Sequence, residues 1–267
     1  MALQGKNVLI TGASMGIGET IARRVASEGA NVALFARSQD KLQAIAEDLQ
    51  KKSPSSKVIF KAIDLQNYEV VEKAVGGTVK EIGQIDILVN NAGLALGAPA
   101  AFPDLKISDI ITMNGTNING LMFTTYAVLN SSMMKRKEGT ILNVTSVTAL
   151  EAPPFPGEAV YHSNKAAQEG FTNALRNELN GTNIKVLALR PGVVATHFHT
   201  QRVGYDKDMY DSFVDGYTPL EAEDIAGAAI YMLSQPLNVS IKALDVVPSA
   251  QRSLTVFDRE WSKRNAQ

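Results

Sequence analysis

The sequence contains no cysteine, which excludes disulfide bonds, thiolate chemistry and cysteine-ligated zinc. Histidine is also scarce: the three are His162, His197 and His199, and no H-E-x-x-H pattern accompanies them, so no metal site is expected. Charge of one sign is lacking too, since the formal net charge is −1 and the longest basic run covers only residues 135–137. Nucleic-acid-binding proteins ordinarily carry a basic stripe, so nucleic acid is not an expected partner.

Long apolar runs are missing as well. No stretch approaches the roughly 18 consecutive apolar residues that a membrane-spanning helix needs. The first residues, MALQGKNVLITG, lack the basic and apolar regions of a secretory signal peptide. These absences predict a cytoplasmic protein that does not bind membranes.

Short apolar runs, rich in β-branched residues, alternate with longer amphipathic stretches along the chain. Such runs suit strands buried on both faces, and their alternation with helical patterns predicts an α/β fold. We expect a Rossmann-type, doubly wound parallel sheet of about seven strands flanked by helices. The predicted strands are Val8–Ile10, Val32–Ala36, Val58–Ile63, Ile85–Val89, Thr140–Val144, Ile184–Leu189 and Ile241–Val247.

Helical periodicity fills the intervals between these runs, and no repeat or linker divides the chain. Two segments break the rhythm, the proline-rich loop Glu151–Gly157 and the polar, aromatic segment Thr196–Leu220. Both follow predicted strands, where open α/β sheets bind ligands, so residues 196–220 are predicted to form a substrate lid. The predicted helices are Ile17–Glu28, Lys41–Gln50, Val70–Glu81, Ile107–Met134 with a break near Gly115 and Gly120, Val160–Leu179 and Glu223–Leu233.

A glycine-rich turn, TGASMGIG, lies between the first predicted strand and the first predicted helix. Gly12 permits a tight turn, Gly16 lets the backbone approach a pyrophosphate, and Gly18 permits close helix–strand packing. The free N–H groups of the helix N-terminus then attract the phosphates. The spacing is G-x-x-x-G-x-G instead of G-x-G-x-x-G, and a purely structural turn is the alternative interpretation.

The end of the second predicted strand distinguishes between two dinucleotides. An NAD site usually carries Asp or Glu there, which binds the ribose hydroxyls. This chain has Ala36 followed by Arg37. Because a guanidinium suits a 2′-phosphate, NADP(H) is the predicted cofactor; a solvated surface arginine is the alternative.

Tyr161 and Lys165 are four residues apart in YHSNKAA, one helical turn on the same face. A phenol ordinarily has a pKa of about 10. An ammonium about 4 Å away, at an effective dielectric near 20, stabilises the phenolate by roughly 4 kcal/mol, which lowers the pKa of the phenol by about three units. A proton donor beside a nucleotide site indicates hydride transfer. The alternative is a partly exposed pair of helical residues.

Five motifs occur in the order typical of the short-chain dehydrogenase/reductase family, which the chain resembles over nearly its whole length. They are TGASMGIG, NNAG at Asn90–Gly93, Ser146 after the fifth strand, YHSNK, and RPGVVAT at Arg190–Thr196. The resemblance implies one dinucleotide-binding and catalytic domain over residues 1–267. It implies an NADP-dependent oxidoreductase that interconverts a secondary alcohol and a ketone.

The resemblance also implies the catalytic residues. Tyr161 is the acid/base, Lys165 lowers its pKa and binds ribose, and Ser146 hydrogen-bonds the substrate carbonyl oxygen. Thr148 is the rival of Ser146, because the interval between Ser146 and Tyr161 is slightly long for the family. Asn117, followed three residues later by glycine, resembles the asparagine that anchors a water relay to the lysine.

The cofactor site is implied in the same way. Asn91–Gly93 is expected beside the adenosine, Asp64 at the adenine amino group, and Pro191–Thr196 along the nicotinamide. The predicted cofactor residues are Gly12, Ser14, Met15, Gly16, Ile17, Gly18, Arg37, Ser38, Asp64, Leu65, Asn91, Ala92, Gly93, Tyr161, Lys165, Pro191, Gly192, Val194 and Thr196.

The segment Pro219–Arg259 resembles the branch of NADP-dependent 3-hydroxy-acid dehydrogenases, which includes serine and allo-threonine dehydrogenases. This implies that Arg202 pairs with a substrate carboxylate, with a plain surface arginine as the alternative. A ketoreductase of bulky neutral ketones in specialised metabolism stays open, because the lid is aromatic. A non-catalytic NADP-binding sensor is a further alternative, although such proteins usually lack the Tyr or Lys. The aromatic lid residues are Phe198, Tyr205, Tyr210, Phe213 and Tyr217.

Family members usually pair through the helices that follow the fourth and fifth strands, so the resemblance implies a homotetramer or homodimer. The corresponding segments here are Ile107–Met134 and Val160–Leu179. Their candidate contact residues are Leu121, Phe123, Phe171 and Leu175.

Overall fold

The computed structural model describes residues 2–153, 156–202 and 206–266. Within this part of the chain the strands are β1 (Asn7–Thr11), β2 (Asn31–Ala36), β3 (Val58–Ala62), β4 (Ile87–Asn90), β5 (Glu138–Val144), β6 (Asn183–Pro191) and β7 (Ala243–Val246). They form one sheet in the order β3-β2-β1-β4-β5-β6-β7, and all neighbours are parallel. The prediction of a doubly wound parallel sheet is confirmed, because the chain reverses its direction of winding between β1 and β4.

Helices cover both faces of this sheet. They are α1 (Gly16–Ser27), α2 (Gln39–Lys52), α3 (Tyr68–Ile82), α4 (Ile107–Asn114), α5 (Gly120–Val128), α6 (Met134–Arg136), α7 (Ala159–Glu178), α8 (His197–Arg202), α9 (Lys207–Val214), α10 (Ala222–Leu233) and α11 (Trp261–Asn265). Buried side chains of α1, α2 and α10 pack on one face, and those of α3, α5 and α7 pack on the other. None of these helices is both long and apolar enough to span a bilayer, within the residues described.

The predicted break in the long helix falls at the two glycines that were named, but it is a π-helical turn and not an end. The turn covers Gly115–Asn119, between α4 and α5, and the chain stays helical through it. Both glycines lie where another strand end approaches: a Cβ at Gly115 would sit 2.3 Å from Gln66 Oε1, and one at Gly120 would sit 2.9 Å from Leu65 Cβ. These glycines therefore permit close packing and do not end the helix.

The predicted lid segment contains helices that its weak periodicity did not predict, α8 and α9. Its two ends are tied together, since Ala195 N donates to Leu220 O at 2.7 Å and Leu220 N donates to Val193 O at 3.0 Å. The segment therefore leaves the body of the protein and returns at the same place, beside the end of β6. Tyr205, and residues 154–155 of the proline-rich loop, lie outside the described residues.

Candidate active site

A cleft of about 370 Å³ opens at the carboxyl ends of the strands. Residues that follow β1, β2, β4, β5 and β6 line it, and α8 covers one side with Phe198 and Arg202. The chain reversal between β1 and β4 creates this opening, because the connections on either side of it run in opposite directions. Its size and place are those of a ligand site in an open α/β sheet.

The glycine turn forms one end of the cleft. Gly12 and Gly16 have φ angles of 66° and 56°, in the left-handed region that favours glycine. A Cβ at Gly18 would lie 2.4 Å from Gly12 O, so α1 packs directly against the turn. Asn91 fixes the turn, because its Nδ2 donates to Gly12 O at 3.2 Å. The N-terminus of α1 therefore faces the cleft with free N–H groups, a site that suits phosphate.

The second strand ends at the rim of this cleft. Arg37 and Ser38 line the cleft and are exposed, whereas Ala36 is buried. Leu65 also lines it, but Asp64 lies outside the lining and is exposed, and its Oδ1 accepts a hydrogen bond from Gln66 N at 3.0 Å. The rim thus presents a guanidinium in place of the acidic residue of an NAD site.

Tyr161 lies at the other end of the cleft and is 6% exposed. Its ring contacts Phe198, with 5.4 Å between the ring centroids, and Arg202 Cζ is 6.0 Å from the Tyr161 centroid. Burial raises the pKa of the phenol above its ordinary value and outweighs the other influences. The charge of Arg202 and a hydrogen bond with Ser146 oppose that rise in pKa, whereas the charge of Glu158 adds to it.

Lys165 is buried beneath Tyr161. Its Nζ donates to Val144 O at 3.0 Å and to Gln168 Oε1 at 3.1 Å, and lies 5.7 Å from the Tyr161 ring centroid. Burial lowers the Lys165 pKa to about 7, with the charge of Glu169 acting in the opposite direction. The expected lowering of the Tyr161 pKa is not seen, because burial of the phenol outweighs the charges near it. The Lys165 donors point to Val144 and Gln168.

Asn117 occupies the π-helical turn and is fully buried. Its Oδ1 accepts from Leu94 N at 2.9 Å, and its Nδ2 donates to Asn164 Oδ1 at 3.1 Å. Its main-chain carbonyl accepts from Gln168 Nε2 at 2.6 Å. Gln168 therefore joins Asn117 to Lys165 through two direct hydrogen bonds. No motif pointed to Gln168; its spacing of three residues from Lys165 on one helix is the signal that could have found it.

Ser146 and Thr148 differ in where their hydroxyls lie. Ser146 lines the cleft, and its Oγ accepts from Thr148 N at 3.2 Å. Thr148 is absent from the lining, and among the described residues its buried Oγ1 has no hydrogen-bond partner. Of these two hydroxyls, the one at Ser146 can therefore reach a ligand beside Tyr161.

Arg202 lines the cleft, and its guanidinium forms an ion pair with Glu158, which lies outside the cleft lining. The Nε of Arg202 donates to Glu158 Oε1, and its Nη2 donates to Oε2 at 2.6 Å. The side chains are 7% and 1% exposed, so this is a buried, bidentate ion pair. Glu158 directly precedes α7, and sequence reasoning did not single it out.

The aromatic lid residues do not act together in the cleft. Phe198 lines it, whereas Phe213 and Tyr217 pack on Phe257, with ring centroids 5.5 and 5.0 Å apart. Tyr210 is half-buried and outside the cleft lining. The expectation of an aromatic pocket for a bulky ketone is therefore wrong for Tyr210, Phe213 and Tyr217, because the C-terminal segment takes up two of these rings.

Metal ligands do not cluster in the described part of the chain, where no group of three or more His, Asp or Glu could hold an ion. His197 lines the cleft, and the side chain of His199 lies outside what is described.

Comparison with known proteins places the chain in a family. The pattern of the short chain dehydrogenase family matches residues 6–205. An NADP-dependent 3-hydroxy acid dehydrogenase of Schizosaccharomyces pombe is 39% identical over 250 residues, which are 93% of this chain and 95% of that protein. Sulfoacetaldehyde reductase 2 of Chromohalobacter salexigens is 36% identical over 254 residues, 95% of this chain and 98% of that protein.

A solved structure agrees with these relatives. The closed form of serine dehydrogenase complexed with NADP+ has a TM-score of 0.85 and 33% identity, and covers 92% of this chain and 96% of that one. The chain belongs to the short-chain dehydrogenase family.

Proposed function

We propose that this short-chain dehydrogenase is an NADP-dependent oxidoreductase that interconverts a secondary alcohol and a ketone, with Tyr161 as its acid/base. The observation that carries the proposal is one continuous cleft, which begins at the glycine turn and ends at Tyr161, Ser146 and Lys165. The relatives named above are dehydrogenases and reductases, of which one is NADP-dependent and another is complexed with NADP+. This reaction needs a nucleotide site and a proton donor in one cavity, and the cleft has both.

The residues of the cleft fit NADP(H). The N-terminus of α1 suits the pyrophosphate, and only glycine fits the turn before it, because a Cβ at Gly12 would lie 2.8 Å from Ala92 Cα. Arg37 suits the 2′-phosphate, with no acid at position 36 to repel it. Asn91 borders the glycine turn, whereas Gly93 lies beside Lys165, because a Cβ there would be 3.7 Å from Lys165 Nζ. At the opposite wall Pro191 lies beside Ser146, and Thr196 lies beside Gly16. When bound, the cofactor supplies the hydride for reduction.

Side chains of the protein bind the carbonyl oxygen of the substrate and donate a proton to it. In the reducing direction, the Ser146 hydroxyl and the Tyr161 phenol hold the carbonyl oxygen, and the phenol donates its proton as negative charge develops there. The raised pKa of Tyr161 keeps that proton in place at neutral pH. Lys165 is held beneath the phenol by Val144 and Gln168, where an ammonium stabilises the phenolate that proton transfer leaves.

Two substrate classes follow from different observations. The 3-hydroxy acids, or the corresponding 3-oxo acids, are favoured by the relatives and by the place of Arg202 in the cleft wall. Neutral ketones are favoured by the buried pairing of Arg202 with Glu158, which leaves no net charge there. Phe198 adds an apolar wall beside Tyr161 in either case.

We also propose that residues 1–267 form one domain and that the protein assembles as a homotetramer or homodimer. Leu121 and Leu175 are buried within the protomer, and Phe123 and Phe171 pack against its core. In the segment Ile107–Met134 the exposed large apolar residues are Ile107, Ile111, Tyr126 and Met134, and these are the better contact residues. Light scattering at micromolar concentration that shows only the 28.7 kDa protomer contradicts the assembly.

NADPH consumption over a panel of ketones and 3-oxo acids, with NADP+ reduction over 3-hydroxy acids, tests the proposed function. Turnover of at least one member by the wild-type protein, and none by Tyr161→Phe, is the expected result. Tight NADPH binding without turnover of any member contradicts it and favours a sensor.

A further inference from the structure

The Glu158–Arg202 pair joins two parts of the catalytic wall. Glu158 immediately precedes the helix that carries Tyr161, and Arg202 lies at the end of α8, which carries Phe198. Phe198 and Arg202 are four residues apart, so both lie on one helical face, and both contact the Tyr161 ring region. The pair is thus built into the wall beside the reacting phenol.

The Glu158–Arg202 pair determines the net charge of the cleft wall beside Tyr161. The basic side chains that line the cleft are Arg37, Lys165, His197 and Arg202. Arg37 lies at the rim beyond the second strand, and Lys165 is buried with its Nζ donating to Val144 O and Gln168. Arg202 is therefore the guanidinium in the wall beside Tyr161, and Glu158 neutralises it through both carboxylate oxygens.

An anionic substrate would meet an unfavourable arrangement here. Its carboxylate or sulfonate would have to share one guanidinium with the carboxylate of Glu158, which is 1% exposed and cannot move to water without opening the wall. Two carboxylates on one buried cation leave a net negative charge, and an uncompensated charge in a closed site is strongly disfavoured. A neutral carbonyl compound meets no such penalty.

We infer that Glu158 is a specificity-determining residue: by neutralising Arg202 it makes the site select neutral carbonyl compounds, such as 3-oxo esters, and reject 3-oxo acids and sulfonates. The inference rests on the proposed function and specifies its substrate class. The carboxylate of Glu158 repels anionic substrates, and such repulsion is a usual way in which a protein discriminates between related ligands. Arg202 then supports the wall and the field around Tyr161, and does not bind the substrate.

The test compares methyl acetoacetate with acetoacetate, two 3-oxo compounds that differ mainly in charge. Wild type, Glu158→Gln and Asp86→Asn are assayed for kcat/KM with NADPH, and the affinity of each compound for the NADP+ complex is measured as well. The glutamine keeps the shape of Glu158 but removes its charge. Asp86 is a matched control, because it pairs with Arg136 at 2.8 Å, outside the residues that line the cleft.

Wild type should prefer the ester by at least about tenfold, and in Glu158→Gln the ratio of kcat/KM for the acid to that for the ester should rise at least about tenfold. Asp86→Asn should leave the preference unchanged. A wild-type preference for the acid overturns the inference. So does a loss of acid turnover in Glu158→Gln, because Glu158 would then be orienting Arg202 for the acid.

Two further outcomes separate the inference from a failure of folding and from a failure of the proposed function. If Glu158→Gln unfolds, the double variant Glu158→Leu, Arg202→Met removes both charges, a replacement that buried ion pairs often tolerate. Its ester preference should stay within about threefold of wild type, because the net charge of the wall is unchanged; a collapse of the preference overturns the inference. Ester-selective binding without any turnover contradicts the proposed function alone.

Discussion

The side-chain amide of Gln168 donates a 2.6 Å hydrogen bond to the main-chain carbonyl of Asn117. The same side chain accepts from Lys165 Nζ, so Gln168 connects the lysine to the π-helical turn at Gly115–Asn119. The sequence resemblance implied a water relay from Asn117 to Lys165. The water relay stays a prediction, and Gln168 adds a direct side-chain connection between the same two residues that holds Lys165 Nζ under Tyr161.

Replacing this connector should affect chemistry more than binding. Gln168→Met keeps the size of the side chain and removes both hydrogen bonds, so we expect kcat to fall at least about tenfold with KM nearly unchanged. Because the ammonium loses an acceptor, the limb of the pH–rate profile that reports Lys165 should move to lower pH. Gln50→Met is the control, since Gln50 bonds Ser56 O far from the cleft. Equal effects of the two variants would refute a role for Gln168.

The two hydroxyls after β5 should differ sharply. Ser146→Ala removes the hydroxyl that lines the cleft beside Tyr161, and we expect kcat to fall about 100-fold or more. Thr148→Ala removes a buried hydroxyl outside the cleft lining, so kcat should stay within a few-fold. Steady-state kinetics of both variants check this. The reverse ranking would move the carbonyl-binding role to Thr148.

Arg37 should discriminate between the two nicotinamide cofactors. A charge-assisted contact to the 2′-phosphate is worth about 1.5–3 kcal/mol, so Arg37→Ala should weaken NADPH at least about tenfold. NADH lacks that phosphate and should be nearly unaffected. Fluorescence titration with both cofactors measures the effect, and equal losses would show that Arg37 does not bind the 2′-phosphate.

The buried lysine should impose a pH dependence on stability. Burial lowers the Lys165 pKa from its ordinary 10.5 to about 7, so between these values the unfolded chain binds more protons than the folded one. The contribution of Lys165 is therefore least favourable below pH 7 and improves as pH rises toward 10.5. The Tm of Lys165→Met relative to wild type should be higher at pH 6 than at pH 9, by an amount on the order of several degrees.

Thermal melting at several pH values gives this difference directly. The hydrogen bonds that the methionine lacks change the Tm of the variant equally at pH 6 and pH 9. The change in the Tm difference with pH is therefore what reports the pKa of Lys165. A difference in Tm that does not change with pH would mean that Lys165 is charged throughout.

Particular elements show why most of the fold was predictable from the sequence. The β2 run, Val32–Ala36, is buried throughout because it is covered on both faces, and such runs stand out without any alignment. Helices α8 and α9 were not predicted, because tertiary contacts decide this segment: Phe198 packs on Tyr161 and Phe213 on Phe257. The sequence located the interruption at Gly115 and Gly120 but not its π-helical form, since the close neighbours of these glycines come from a distant strand end.

In the candidate site, too, local features were predictable and long-range contacts were not. Tyr161, Lys165 and the glycine turn lie in short motifs, and the spacing within each motif predicts its place in the site. Glu158 was missed although it lies three residues before Tyr161, because its partner, Arg202, is 44 residues away and only the fold brings them together. The pKa of Tyr161 was misjudged because burial, which sequence spacing does not reveal, outweighs the neighbouring charges.

The measurement that tests the central claim most directly is the effect of Tyr161→Phe on turnover and on NADPH affinity in the same preparation. The phenol acts on the substrate oxygen in the transition state and the ring is retained, so kcat should be lost while the Kd for NADPH stays within a few-fold. Retention of more than about a tenth of wild-type kcat would contradict the assignment of Tyr161 as the proton donor.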